Sequence, residues 1–274
     1  MFSTVIAGID GTRASLEAGR QAAQLVAPGG QLILLAAADP YLTMFNRWGT
    51  ERLVQPDEAR TAEVLTLAKA RIGQRAEESL RAMRDQLPDT LRVTLRVEGG
   101  RGWDVLRDVA EAERADLIVI GSHGGTRLAG IALGSTATEL LHDAPCSVLI
   151  ARTPYNPARF PSSLVVGVDG SACSLAALDL AKDLVARANH PVTATALAAK
   201  GSDLSEEGLT RLAEPLLVAF RTERPVDALV AAASSTDLVM IGARGLAGAR
   251  ALGSVSERVA HQAESSVLVV QGPR

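Results

Sequence analysis

The chain has 274 residues, a formal net charge of −3, and 47% hydrophobic but only 3% aromatic residues. That length accommodates two domains of ordinary size, and the shortage of aromatics leaves the core to Ala, Val, Leu and Ile, which suits parallel strands covered by helices. The near-neutral charge argues against nucleic acid or an anionic membrane as partner.

Cys146 and Cys173 lie in apolar or helical patterns without metal-ligand spacing and read as reduced, buried thiols. The apolar runs are of strand length, and Met1 to Asp10 has no basic region before an apolar run, so the expectation is a soluble, cytoplasmic protein.

In chain order, Thr4 to Ile9 reads as a buried strand closed by Asp10-Gly11. Thr12 to Ala27 has helical spacing and ends at Pro28-Gly29-Gly30, and Gln31 to Ala38 is a second strand. Asp39 to Pro56 shows no period but holds Tyr41, Phe45 and Trp48, and reads either as a lid or interface arm or as a loop packed by its own aromatics. Glu58 to Gln86 is one long amphipathic helix whose stripe of Leu65, Ala68, Ile72, Ala76, Leu80 and Met83 is expected to face a core. Leu91 to Val97 is a third strand, Trp103 to Arg114 a helix, and Leu117 to Ile120 a fourth strand. A glycine-rich loop, a helix from Ser135 and a strand at Ser147 to Ile150 complete the unit.

Residues 153–161 carry Pro154, Pro157 and Pro161 and read as a linker between a domain at 1–152 and another at 162–274. The chain then repeats itself. SLVVGVDGSACSLAALDLA from Ser163 matches TVIAGIDGTRASLEAGRQA from Thr4; ADLIVIGSHG returns as TDLVMIGARG, and LGSTATELLHDAPCSVLIA as LGSVSERVAHQAESSVLVV. Three matches in one order signify duplication. In the second copy, the space between strand Val192 to Ala198 and the next strand near Leu216 to Thr222 holds only one short helix.

Alternating strands and helices predict two tandem, doubly wound, five-stranded parallel sheets of order 3-2-1-4-5. That order opens a crevice at the carboxyl ends of strands 1 and 4, where Asp10 and Gly121 converge. The residue types suit an anion. Gly121 and Gly124 permit close approach of phosphates and positive φ, and Ser135 and Thr136 are expected to cap the next helix, whose free N–H groups and dipole favour negative charge. Asp10 can accept from a ribose hydroxyl or hold a hydrated metal ion. Arg127 is either a phosphate clamp or a solvated loop residue, and His123 likewise either meets a phosphate or faces solvent. The glycines by themselves equally describe a flexible βα connection.

Gly121-Ser-His-Gly124, nine residues, then Gly134-Ser135 resembles the G-2x-G-9x-G-(S/T) signature of ATP-binding universal stress proteins. The GIDGTRAS opening and the APCSVLI ending resemble that family too, and the likeness covers both copies, so the chain resembles a tandem member. The resemblance implies an adenine nucleotide alpha hydrolase-like, Rossmann-like fold. It places Asp10 near the nucleoside, the backbone of Ala37 against adenine, and Gly121, Gly124, Gly134, Ser135 and Thr136 around ribose and phosphates. The ligand it implies is ATP, with Mg2+ arriving on the nucleotide, or else AMP or ADP. Single-domain members pair through their last strands, so Cys146 to Ile150 and Ser266 to Val270 are expected to join in an internal pseudo-dimer, and the aromatic arm is a candidate surface for a homodimer.

In the second copy Asp169, Gly242, Gly245, Gly253 and Ser254 persist, but seven residues rather than nine separate Gly245 from Gly253. Two fewer residues remove roughly 6 Å of reach, so the main site is expected in the first copy. No Walker-A spacing, post-strand GxGxxG, His/Cys metal cluster or GxSxG elbow is present, and no catalytic residue is assigned. Three readings follow: a nucleotide-responsive stress or regulatory module, a nucleotide-independent interaction protein of the same fold, or a slow ATPase.

Overall fold

The computed structural model describes residues 1–38, 58–122, 133–152, 159–200, 202, 204–243 and 253–272, with side chains between 58 and 68 described only for Thr66 and Leu67. In the first half the elements are β1 (Phe2–Gly8), α1 (Arg13–Leu25), β2 (Val26–Ala38), α2 (Glu58–Arg84), β3 (Arg92–Gly99), α3 (Gly102–Ala112), β4 (Leu117–Gly121), α4 (Ser135–Asp143) and β5 (Ser147–Ala151). The second half runs β6 (Ser163–Gly167), α5 (Ala172–Arg187), β7 (Thr193–Ala198), α6 (Glu206–Ala213), β8 (Leu217–Phe220), α7 (Pro225–Ala233), β9 (Leu238–Gly242), α8 (Ser254–Gln262) and β10 (Ser266–Val270).

Each half has the expected 3-2-1-4-5 order, but the two predicted sheets are one. All ten strands form a single sheet in the order β3-β2-β1-β4-β5-β10-β9-β6-β7-β8. The joint is antiparallel, with Val267 opposite Ile150, Leu268 opposite Leu149 and Val269 opposite Val148, while every other pairing is parallel. The physical reason is the edge problem: β5 and β10 would each end a five-stranded sheet with unpaired backbone groups, and pairing removes both edges at once.

Side-chain alternation sorts the strands onto two helix layers. Val5 and Ala7 of β1 face a core shared with α1, α2 and α5, whereas Ile6 faces a second core built with α3, α4, α7 and α8. At the amino end of each half an aspartate fastens strand 1 to strand 4. The Asp116 carboxylate accepts from the N–H groups of Ser3 and Thr4, each at 2.9 Å. Asp237 repeats the device on the N–H groups of Ser162 and Ser163 at 2.7 and 3.1 Å, and it is fully buried.

One boundary differs from expectation. Strand β2 begins at Val26, five residues early, because Val26 pairs with Phe2 before a bulge brings Gln31 opposite Thr4. Gly30 fits there because a Cβ would lie 2.7 Å from the Ser3 carbonyl oxygen. In α2, Ala76, Leu80 and Met83 of the expected stripe pack on the core, and the side chains of Leu65 and Ala68 lie outside the described residues.

Candidate functional site

Strand β1 lies between β2 and β4, with Val5 beside both Leu32 and Leu117. The crossovers leave β1 in opposite directions, so a crevice opens where β1 and β4 end. Asp10, exposed, stands at its lip. One carboxylate oxygen accepts from Thr12 N at 2.9 Å and Thr12 Oγ1 at 2.6 Å, an Asx-type turn, and Gly11 completes that turn at φ +80°. Thr12 in turn caps α1 by accepting from Ser15 N at 3.2 Å. The loop therefore fixes Asp10 through Oδ1. Asp169 repeats the arrangement with Ser171, at 2.9 and 2.6 Å. The motif Asp-Gly-(Thr/Ser)-x-x-Ser, present in both copies, was the sequence signal for this turn, and the threonine's part in it went unread.

Ala37 lies at the exposed end of β2. The Leu35 carbonyl accepts from Ile9 N at 2.8 Å on the β1 side, and the Ala38 carbonyl accepts from Gly100 N at 3.3 Å on the β3 side. Strand alternation then turns the N–H and C=O of Ala37 toward the β1 side, beyond the last residue of β1. A planar, hydrogen-bonding ring has a backbone donor and acceptor to meet there.

Gly121 is closely packed on the side where a Cβ would stand. A Cβ built on it would lie 2.7 Å from the carbonyl carbon of Ala14 and 2.8 Å from the Ala14 Cβ. That space is filled by the first turn of α1, and Gly121, against expectation, is not at positive φ. Gly242 repeats this against Cys173, at 2.5 Å. The two glycines seat α1 and α5 against the sheet and so shape the crevice indirectly. Of the two cysteines, Cys146 is buried and Cys173 half-buried, both as free thiols.

The start of α4 also departs from expectation. Its N-cap is Gly134, with no side-chain cap, and Ser135 and Thr136 are its first helical residues instead of its caps. The Gly134 N–H donates to the Ser122 carbonyl at 3.0 Å, which anchors the end of the glycine loop to the end of β4. Among the described residues the first turn has no side-chain cap and no acidic residue, and its N–H groups and the positive end of the dipole favour negative charge. The N-terminus of α3, likewise without a side-chain cap but with Asp104 in its first turn, lies alongside: a Cβ at Gly102 would be 3.3 Å from Thr136 Oγ1. Sequence reasoning placed this helix at Trp103 to Arg114 but did not bring its start to the crevice; the local signal was Gly100-Arg101-Gly102 at the end of β3.

The second crevice is less suited to an anion. Its helix α8 also starts on an uncapped glycine, Gly253, followed by Ser254, but Glu257 stands in the first turn, where α4 has no acidic residue. That carboxylate competes for the same dipole. Ser256, where the first half has Ala137, donates to the Gly242 carbonyl at 2.8 Å. Gly124, Arg127, His123, Gly245 and the arm Tyr41 to Trp48 lie outside the described residues. Among the described residues no group of three or more His, Cys, Asp and Glu is arranged to hold a metal ion, and no helix is long and apolar enough to cross a membrane.

These features define a doubly wound α/β protein whose switch-point crevice brings together a fixed carboxylate, the end of β2 and two helix N-termini without side-chain caps among the described residues. The chain belongs to the universal stress protein family, whose profile matches residues 1–152 and 196–271. A universal stress protein of Mycolicibacterium smegmatis is 31% identical over 223 residues, covering 71% of this chain and 75% of that protein. The crystal structure of a universal stress protein from Archaeoglobus fulgidus superposes with a TM-score of 0.72 at 19% identity, covering 98% of this chain and 96% of the other, a likeness of fold. A universal stress protein solved in complex with cAMP is 28% identical over 56% of this chain and 98% of its own, with a TM-score of 0.40.

Proposed function

We propose that this chain is an ATP-binding universal stress protein, a cytoplasmic module in which an adenine nucleotide in the first crevice sets the conformation of the loop from Gly121 to Gly134 and hence a partner surface. The observation that carries the reading is the uncapped start of α4 at Gly134, beside the α3 start and across the switch point from Asp10. Phosphates fit the helix N-termini, a ribose hydroxyl fits Asp10 Oδ2, and adenine fits the Ala37 backbone. When bound, ATP supplies the negative charge that those N–H groups complement and brings Mg2+ on its phosphates; AMP and ADP present the same nucleoside with fewer charges. Ser135, Thr136, Gly124 and Arg127 are assigned to the phosphate side on the strength of the loop spacing.

The first half, residues 1–152, is read as the nucleotide-binding domain and residues 162–274 as a domain whose crevice binds more weakly or serves the fold alone. The two together act as an internal pseudo-dimer, and assembly of two chains into a homodimer is part of the same reading. Hydrolysis, where it accompanies binding, is read as slow, and no catalytic residue is assigned. The competing reading is a nucleotide-independent interaction protein. Thermal shift and calorimetry with ATP and Mg2+, ADP, AMP and cAMP, on wild type and Gly124→Val, distinguish them. The expected result is a saturable shift in wild type that Gly124→Val abolishes; no response to any of the four in wild type overturns the nucleotide reading.

A further inference from the structure

The ten-stranded sheet ends on β3 at one edge and on β8 at the other. Strand β8 is guarded as edges usually are: it is 4 residues long and follows closely on Pro215. Strand β3 has 8 residues and no proline, and among the described residues it pairs only with β2. The Ala38 carbonyl accepts from Gly100 N–H, and the register runs unbroken from Gln31 beside Arg92 to Ala38 beside Gly99. The main-chain groups of Arg92, Thr94, Arg96 and Glu98 therefore turn toward β2, and those of Val93, Leu95 and Val97 point out of the sheet edge. Val93 and Val97 pack against the core that β1 shares with α1 and α2, whereas Leu95, on the same face of the strand, stays 40% exposed.

A row of outward donors and acceptors is a template for another strand, and the side chains of β3 select its own copy. An edge that pairs with itself about a two-fold axis does so antiparallel, and here odd-numbered residues must face odd-numbered ones, because theirs are the outward groups. With Leu95 on the axis, opposite its own copy, Val93 stands opposite Val97 and Arg92 opposite Glu98, each twice by symmetry. The neighbouring registers are worse. An axis at Thr94 sets Arg92 against Arg96, and an axis at Arg96 sets that arginine against itself, and like charges directly opposite are unfavourable. Arg96 is meanwhile held within its own chain by Glu98 at 2.6 Å and Glu113 at 3.0 Å, while Arg92 is exposed and meets Glu98 of the second copy. The register centred on Leu95 forms about six ladder hydrogen bonds and covers the exposed leucine.

We propose that β3 is a self-complementary docking edge for a second copy of this chain, joined antiparallel about Leu95 so that two ten-stranded sheets become one. The inference rests on the homodimer of the proposed function and names its surface; it is independent of nucleotide. The test is sedimentation equilibrium of the full chain over a range of concentrations, for wild type, Arg92→Glu, Glu98→Arg and an equal mixture of the two variants, with Tm recorded for each. The expected result is a dimer in wild type and a dissociation constant raised about tenfold or more in each variant alone. The mixture should recover the dimer, because unlike charges again stand opposite at both ends of the strand pair. A wild-type dimer indifferent to both substitutions overturns the β3 edge and leaves the homodimer to another surface, whereas a wild-type monomer at every concentration overturns both. A mixture no more dimeric than its components overturns the register. Arg92→Glu changes an exposed side chain and keeps the test decisive should Glu98→Arg disturb Arg96.

Discussion

Gly121 and Ala14 share one small volume: a Cβ on Gly121 would lie 2.7 Å from the Ala14 carbonyl carbon, closer than side-chain contacts are found. The end of β4 and the first turn of α1 therefore meet backbone to backbone. Gly121→Ala is expected to cost about 1–3 kcal/mol, the usual range for overpacking a rigid site. Urea denaturation measures it. The double variant Ala14→Gly/Gly121→Ala should recover only part of the loss, because the nearest atom belongs to the backbone. Full stability of the single variant would show that α1 shifts freely.

The nucleotide reading makes a sharp prediction at Ser135. Ser135→Asp puts a carboxylate on the first helical position of α4, where it favours the helix dipole and competes with phosphate. Affinity for ATP is expected to fall by about tenfold or more, equivalent to about 1.4 kcal/mol, while Tm holds or rises slightly. Unchanged ATP affinity by calorimetry would remove phosphate from the α4 N-terminus.

Gly73 is inside α2, and a Cβ there would meet nothing within 4 Å. Glycine in a helix interior costs entropy without a packing return. Gly73→Ala is expected to stabilise the protein by about 0.5–1 kcal/mol, read as a rise in Tm. A fall would mean that α2 is not helical around Gly73 in solution.

The paired strand clamps should differ in strength. Asp237 is fully buried and holds the Ser162 and Ser163 N–H groups, whereas the corresponding bonds of Asp116 are exposed to solvent. Asp237→Ala is expected to cost about 2–3 kcal/mol and Asp116→Ala about 1 kcal/mol, since stranded donors cost more away from water. Chemical denaturation of both variants gives the comparison, and equal losses would refute the burial argument.

Much of the fold was legible because its signals are local. The alternating apolar runs, the turn at Asp10-Gly11 and the repeat of three ordered blocks each depend on neighbours a few residues apart, and the strand order followed from the handedness of crossovers. What was not legible depends on contacts distant in sequence. The close packing of Gly121 on Ala14 was hidden because nothing in its neighbourhood names a residue more than a hundred positions earlier. Ser135 looked like a cap because serine commonly is one, yet the backbone geometry made Gly134 the cap and left the helix start open. Val26 joined β2 because Phe2 was there to pair with it.

The amino-acid sequence by itself determined the class of this protein: a duplicated, doubly wound α/β chain of the universal stress protein type, with an intact loop in the first copy and a shortened one in the second. Its periodicities and spacings suffice for that, because they encode local geometry. Only the tertiary structure decided that ten strands make one sheet, that Gly121 packs against Ala14, and that Arg152 is buried across the seam between the two halves. Each of these depends on which distant groups share a place in space, and burial and electrostatics act there without regard to sequence order.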